Sequence, residues 1–62
     1  MIRLKHYRTL ANLSQLALSR TVGCTKQQIS AIERGVNEPS IRLALKIGEA
    51  LKVSLDDLFR DE

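Results

Sequence analysis

The apolar residues of this chain recur at intervals of three and four positions, which is the spacing of an amphipathic α-helix. Residues that favour helices dominate the other positions. The chain has one Tyr, one Phe and no Trp, so its core must be built from aliphatic side chains. The pattern predicts an all-α fold made of short helices.

The best-marked helix begins after Ser14 and runs to about Val22. The Ser14 hydroxyl can cap this helix by accepting a bond from a backbone N–H that has no partner inside the helix. Gly23 ends it, because glycine adopts the left-handed conformation found just past a helix end. The next helix starts almost at once, so the two helices must cross steeply. Ser19 is small, which lets the two backbones approach closely where they cross.

The next helix begins after Thr25, which forms a T-x-x-Q capping box with Gln28, and it ends at Gly35. At about 100° per residue, turning Ile29 and Ile32 toward Leu18 and Val22 leaves the opposite face mostly polar. That outward face consists of Gln27, Ser30, Ala31 and Arg34, flanked by Lys26 and Gln28. The positive charge of Lys26 in the first turn interacts unfavourably with the helix dipole and destabilises the helix by up to about 1 kcal/mol. An anionic partner would reverse this penalty.

Two steeply crossed helices, the second with a hydrogen-bonding outer face, form the arrangement by which proteins insert a helix into DNA. The chain resembles the helix-turn-helix family of phage Cro and repressor proteins, also called xenobiotic-response-element-like. The matching residues lie along nearly the whole chain: Leu13-Ser14-Gln15, Gly23, Ile29-Ser30, Ile32-Glu33-Arg34-Gly35, Pro39-Ser40 and 55–59. The resemblance implies one compact five-helix domain over residues 1–62, similar to lambda repressor, with the helix-turn-helix formed by helices two and three over 14–35.

The first helix is expected from residue 2 or 3 to Leu10, with Leu4, Tyr7 and Ala11 on its inner face. Asn12 stands where the family usually has glycine, and asparagine is the best common substitute in a left-handed conformation.

Ser40 is expected to cap a fourth helix. Its predicted inner stripe is Ile41, Ala44, Leu45, Gly48 and Leu51. Gly48 costs this helix about 1 kcal/mol relative to alanine, which close backbone packing would explain. Lys52 replaces the glycine usual at its end, and Ser54 with Asp57 forms an S-x-x-D cap for a short last helix.

Composition excludes several classes of site. The formal charge of +3 and the pI near 9.5 suit a polyanionic partner, although charge alone does not establish one. Cys24 is the only cysteine and His6 the only histidine, so neither a disulfide within the chain nor a zinc site is expected. We predict no catalytic residue, cofactor or small-molecule ligand, because the chain has no Gly-rich phosphate loop, no carboxylate pair and too little length to enclose a pocket. No apolar run is long enough to span a membrane and no signal peptide is evident, so the expected location is cytoplasmic.

The resemblance also implies roles for individual residues. Base readout would fall to Lys26, Gln27, Gln28, Ser30 and Ala31. Contacts to the DNA backbone would come from Gln15, Arg34, Asn37, Ser40 and Arg42. A glutamine amide such as that of Gln27 can both donate to and accept from adenine, a lysine can donate to guanine, and the Ala31 methyl could touch a thymine methyl. Arg8 and Glu33 match positions that form a structural ion pair.

Some of these residues have ordinary alternatives. Gln28 could serve only the capping box, and Lys26 and Arg42 could be solvated surface charges. Leu16 lies where relatives commonly carry a polar residue, so it could reflect different packing or a contact with the DNA backbone or a partner.

Dimerisation is expected because one recognition helix reads only a few base pairs, and a near-palindromic site presents two half-sites about 34 Å apart. The candidate interface is Val53, Leu55, Leu58 and Phe59. These side chains could instead cover the core of a monomer.

The sequence therefore predicts a sequence-specific transcriptional regulator, a repressor, that binds double-stranded operator DNA as a homodimer. The alternative is a protein-interaction module that keeps this fold and does not bind duplex DNA. RNA binding is disfavoured because the A-form major groove excludes side chains and stacking aromatics are nearly missing.

Overall fold

The computed structural model describes residues 1–61, and over these residues it contains five α-helices and no strand. The helices are α1 (Leu4–Leu10), α2 (Gln15–Val22), α3 (Lys26–Glu33), α4 (Ile41–Leu51) and α5 (Leu55–Phe59). The predicted all-α, five-helix fold is confirmed. None of these helices, within residues 1–61, has both the length and the hydropathy that crossing a membrane requires.

Four of the helices begin at the polar caps that the sequence indicates. The hydroxyl of Ser14 accepts from the Ala17 amide at 3.0 Å. The hydroxyls of Ser40 and Ser54 accept in the same way at 3.1 and 3.2 Å. At the start of α3 both bonds of the Thr25 capping box are present. These hydrogen bonds set the first residue of each helix. They therefore also set the length of the loop that precedes it.

The predicted helix ends also adopt left-handed backbone. Gly23 has φ +78°, and its amide donates to the Ser19 carbonyl at 2.9 Å. Asn12 and Lys52 have φ near +60° as well, at 60° and 58°. This conformation is strained for a residue with a Cβ, and asparagine tolerates it better than lysine does.

The core lies where all five helices meet. Its fully buried members are Leu4 of α1, Leu18 of α2, Ile29 of α3, Ile47 of α4 and Leu58 of α5. Burial of aliphatic side chains from every helix means that each of them is held mainly by its neighbours rather than by its own propensity.

Two predicted inner faces were partly wrong. On α4, Ile41 and Leu45 are 76% and 54% exposed, and Ile47 is buried in their place. The helix carries apolar residues on most sides, so the choice depended on its neighbours rather than on its own pattern. On α1, Ala11 is exposed and Arg8 is buried.

Gly48 packs closely against the turn before α5. A Cβ at this position would lie 2.9 Å from the Val53 carbonyl oxygen, closer than such atoms can approach. The Val53 amide donates to the Gly48 carbonyl at 3.0 Å, which holds the turn in this place. The predicted close backbone packing is thus present.

Candidate nucleic-acid interface

The crossing of α2 and α3 turns one face of α3 toward solvent. Ser19 is only 1% exposed at this crossing, and its hydroxyl donates to the Leu16 carbonyl at 2.7 Å, so its polar atom is satisfied inside its own helix. Its carbonyl accepts from the amides of both Gly23 and Cys24 at 2.9 Å. A small, internally bonded residue therefore lets the helices meet and fixes the turn between them.

The exposed face of α3 carries amide and ammonium groups. Lys26, Gln27 and Gln28 are exposed and Ser30 is half-buried, as expected for residues that contact a partner. The first turn contains no acidic residue. Three hydrogen-bonding side chains in one helical turn, beside unpaired backbone N–H groups, form a surface suited to an electron-rich partner.

Ala31 was predicted to face outward, and this is wrong. Its side chain is only 7% exposed. The chain after α3 folds back at this point, because the amides of Val36 and Asn37 donate to the Ala31 carbonyl at 2.9 and 3.3 Å. The Ala31 methyl is buried within the domain, so the proposed contact with a thymine methyl is wrong.

Gln28 is engaged in the capping box. Its amide oxygen accepts from the Thr25 backbone N–H at 3.0 Å, and its own backbone N–H donates to the Thr25 hydroxyl at 3.1 Å. The capping role of Gln28 is therefore present in the structure. A base contact stays a prediction, and only the amide NH₂ group remains available for it.

Five of the predicted DNA-contacting residues line one hollow of about 180 Å³, which we call the α3 cleft. They are Gln15, Lys26, Gln27, Ser30 and Arg34. The fold thus brings the first residue of α2 beside both ends of α3. Two predicted backbone-contacting residues, Asn37 and Ser40, line a neighbouring hollow with Gln28. The remaining one, Arg42, is exposed in the first turn of α4.

Arg8 and Glu33 form the ion pair expected from the family positions. The guanidinium Nε and Nη2 donate to the two carboxylate oxygens, and Nη1 donates to the Leu13 carbonyl at 2.8 Å. The side chains are 10% and 5% exposed. Because each charge is paired and hydrogen-bonded, their burial is tolerated.

The Arg8–Glu33 pair also holds Gln15, a contact that the sequence does not predict. The Gln15 amide nitrogen donates to Glu33 Oε1 at 3.0 Å. The two residues are far apart in the sequence and belong to different helices, so no local pattern indicates their contact. Only the crossing of α2 and α3 brings them together.

The α3 cleft is lined by the cations Lys26 and Arg34 and by no acid, whereas the neighbouring hollow also contains Glu38, which is exposed and paired with the N-terminal ammonium at 3.0 Å. Glu33 is the only acidic residue among residues 1–35, and its carboxylate is buried against Arg8. Lys26, Arg34 and Arg42 are exposed. Exposed acids near the α3 cleft would repel a polyanion, and residues 1–35 supply none.

The four residues of the predicted dimer interface do not lie on one surface in the structure. Leu58 is 0% exposed, so its assignment to an interface is wrong, since the residue completes the core. Val53 and Leu55 are half-buried and line a shallow hollow together with Leu45. Phe59, 40% exposed, lines a different hollow beside Ile2. Leu16 is 42% exposed on α2.

Within residues 1–61, no three His, Cys, Asp or Glu side chains come together in a way that could hold a metal ion. Cys24 is half-buried in the turn between α2 and α3, and burial raises the pKa of its thiol.

Comparison with known proteins agrees with this geometry. A family model described as helix-turn-helix matches residues 4–58, nearly the whole chain. The chain belongs to the Cro/C1-type helix-turn-helix family. It is 44% identical over 57 residues to MJ0272 of Methanocaldococcus jannaschii and 42% identical over 57 residues to YgzD of Bacillus subtilis. Both are named as uncharacterized HTH-type transcriptional regulators, and each alignment covers 92% of this chain and 86% of the relative.

Solved structures of helix-turn-helix proteins have the same fold. The N-terminal DNA binding domain of SinR from Bacillus subtilis aligns with a TM-score of 0.86 and 33% identity, covering 97% of this chain and 88% of that one. A SinR–SinI protein complex contains a chain that aligns with a TM-score of 0.89 and 34% identity. The alignment covers 98% of this chain, which spans 62% of the matched chain's length.

Proposed function

We propose that this chain is a sequence-specific DNA-binding transcriptional regulator that inserts α3 into the major groove of an operator. The observation that carries the proposal is the α3 cleft, where amide, hydroxyl and cationic groups from α2 and α3 converge without an exposed carboxylate among residues 1–35. Family membership supports it, as do the names of MJ0272 and YgzD and the DNA binding domain of SinR.

Base readout falls to the first turn of α3 and to Ser30. Gln27 is the principal base-reading residue, because its amide is exposed and can form two hydrogen bonds with one adenine. Its NH₂ group donates to adenine N7, and its oxygen accepts from the N6 amino group. Lys26 donates to guanine acceptors. Gln28 contributes only its NH₂ group, since its oxygen is bound to Thr25.

The phosphate backbone is held on both sides of α3. Gln15 and Arg34 contact it from the α3 cleft, while Asn37, Ser40 and Arg42 contact it from the start of α4. The Ser40 oxygen accepts from the Leu43 amide, so its hydroxyl hydrogen is the group available to a phosphate. These contacts position the domain and carry no sequence information of their own.

The functional unit is a homodimer, formed by the helix-turn-helix domain over residues 1–62, that represses transcription in the cytoplasm. The copies meet through Val53 and Leu55, which line a hollow with Leu45, Glu49 and Lys52, and Phe59 extends the interface from a second hollow beside Ile2. Support comes from the exposure of two large apolar side chains four residues apart on α4, Ile41 at 76% and Leu45 at 54%.

The test compares three alanine variants in a gel mobility-shift titration against matched and mismatched duplexes. Gln27→Ala should lose discrimination at one or two base pairs, by about 1–3 kcal/mol each. Arg42→Ala should weaken binding to every sequence alike and reduce its salt dependence. Arg60→Ala removes the same charge from the end of α5 and is the control. It should change neither the overall affinity nor the discrimination between base pairs. Equal loss on all sequences for Gln27→Ala would overturn the base-reading role.

A further inference from the structure

We infer that Glu33 is a positioning residue that fixes the orientation of the Gln15 amide at the DNA surface, in addition to neutralising Arg8. The inference rests on the proposed DNA binding. Its basis is the bond from Gln15 Nε2 to Glu33 Oε1 at 3.0 Å, which joins the most buried ion pair of the described residues to the edge of the α3 cleft.

The partner decides which way the amide points. A carboxylate only accepts hydrogen bonds, so it binds the NH₂ side of an amide and repels the oxygen side. Glu33 itself cannot turn away, because Arg8 holds both of its oxygens and is in turn bound to the Leu13 carbonyl. The Gln15 amide is therefore held in one of its two possible orientations by α1, α3 and the segment before α2.

This orientation determines what Gln15 offers to a ligand. One N–H is used by Glu33, which leaves the second N–H and the Oε1 oxygen at the α3 cleft beside Lys26 and Gln27. A phosphate accepts hydrogen bonds and can take the second N–H. The Oε1 oxygen can accept from the Lys26 ammonium, which would orient that side chain for its base. A side chain fixed before binding loses less conformational entropy when the complex forms.

Loss of the Glu33 charge by itself predicts the opposite sign in a binding experiment. Replacing Glu33 by glutamine removes one negative charge near a polyanion, which by electrostatics alone leaves DNA affinity unchanged or raises it. Loss of orientation instead lowers affinity, because a glutamine at this position can present either its oxygen or its nitrogen to Gln15.

The experiment is a double-mutant cycle on the full chain, using a duplex enriched from a random pool by the wild-type protein. Binding is measured by fluorescence anisotropy at a temperature where circular dichroism shows every variant folded. Glu33→Gln should weaken binding about three- to tenfold, the size expected for one side chain that must be immobilised on binding. In a Gln15→Ala background the same substitution should have almost no effect. Additive losses, or tighter binding by Glu33→Gln, would overturn the inference.

A second measurement needs no substitution and covers the case in which Glu33→Gln does not fold. In the NMR spectrum of the DNA-free chain, one Gln15 side-chain N–H should exchange with solvent more slowly than those of the exposed Gln27, which is the internal control. Equal exchange at both residues would overturn the fixed orientation. If the wild-type chain enriches no duplex, the proposed function fails, and this spectrum still tests the Gln15–Glu33 bond.

Discussion

Replacing Gln28 by glutamate separates the structural role of this residue from its contact with DNA. The Gln28 amide oxygen accepts from the Thr25 backbone N–H at 3.0 Å, and a glutamate oxygen can accept the same bond. The substitution also adds the first acidic residue to the first turn of α3. It therefore keeps the capping box and places a negative charge on the proposed DNA-binding face.

The two effects have opposite signs. A carboxylate near a helix N-terminus contributes about 0.3–1 kcal/mol, so the free energy of unfolding should rise by about 0.5 kcal/mol. Gln28→Ala should lower it by about 1 kcal/mol, because one hydrogen bond is lost. On DNA, a charge about 8 Å from a phosphate costs about 0.5 kcal/mol in water, so two neighbouring phosphates weaken binding about fivefold.

Urea unfolding followed by circular dichroism gives the stability of each variant, and anisotropy titration against a panel of single-base variants gives affinity and base preference. We expect Gln28→Glu to be at least as stable as wild type and uniformly weaker on all duplexes. Destabilisation equal to that of Gln28→Ala would refute the capping box. Unchanged affinity would refute the placement of α3 against DNA, and an altered preference at one base pair would show that Gln28 reads a base.

Four further outcomes follow from the structure. Gly48→Ala should lower stability by about 1 kcal/mol despite alanine's higher helix propensity, since its Cβ would meet the Val53 carbonyl oxygen; a gain in a urea titration would refute this close contact. Leu18→Ala should cost about 3–5 kcal/mol and leave the domain largely unfolded by circular dichroism, whereas a cooperative thermal transition near that of wild type would contradict its place in the core. Leu45→Glu should abolish dimers in sedimentation analysis while circular dichroism shows the monomer still folded, because the side chain is 54% exposed within its own chain, and a variant that still dimerises would exclude this face. The Cys24 thiol should react with iodoacetamide at pH 8 more slowly than an unstructured cysteine peptide, since burial raises its pKa, and equal rates would show an open turn.

Features that depend on neighbouring residues could be predicted from the sequence. Ser14, Gly23 and Thr25 each act through bonds to residues within a few positions, so their roles follow from residue type and spacing. Lys52 has φ 58° at the helix end where the family usually has glycine, the residue that adopts this conformation most readily. The close packing at Gly48 could also be predicted, because glycine destabilises a helix interior and close backbone contact is the common compensation.

Features that depend on the packing of distant segments could not be predicted. Ile41, Leu45 and Ile47 are all apolar, and only the arrangement of α2 and α5 around α4 decides that Ile47 is buried. Ala31 is buried although the helical projection of α3 places it on the outward face, because a projection of one helix does not include the segments packed around it. The Gln15–Glu33 bond exists only because two helices cross at one angle, and no spacing in the sequence encodes that angle.

Sequence-specific operator binding by a dimer is tested most directly by selecting bound sites from a pool of random duplexes at two salt concentrations. We expect enrichment of a near-palindrome whose half-sites lie about 34 Å apart, with overall affinity falling at the higher salt and the same bases retained. Enrichment of a single half-site would contradict the dimer. No enrichment at either salt would contradict sequence-specific DNA binding and favour a protein-interaction module with the same fold.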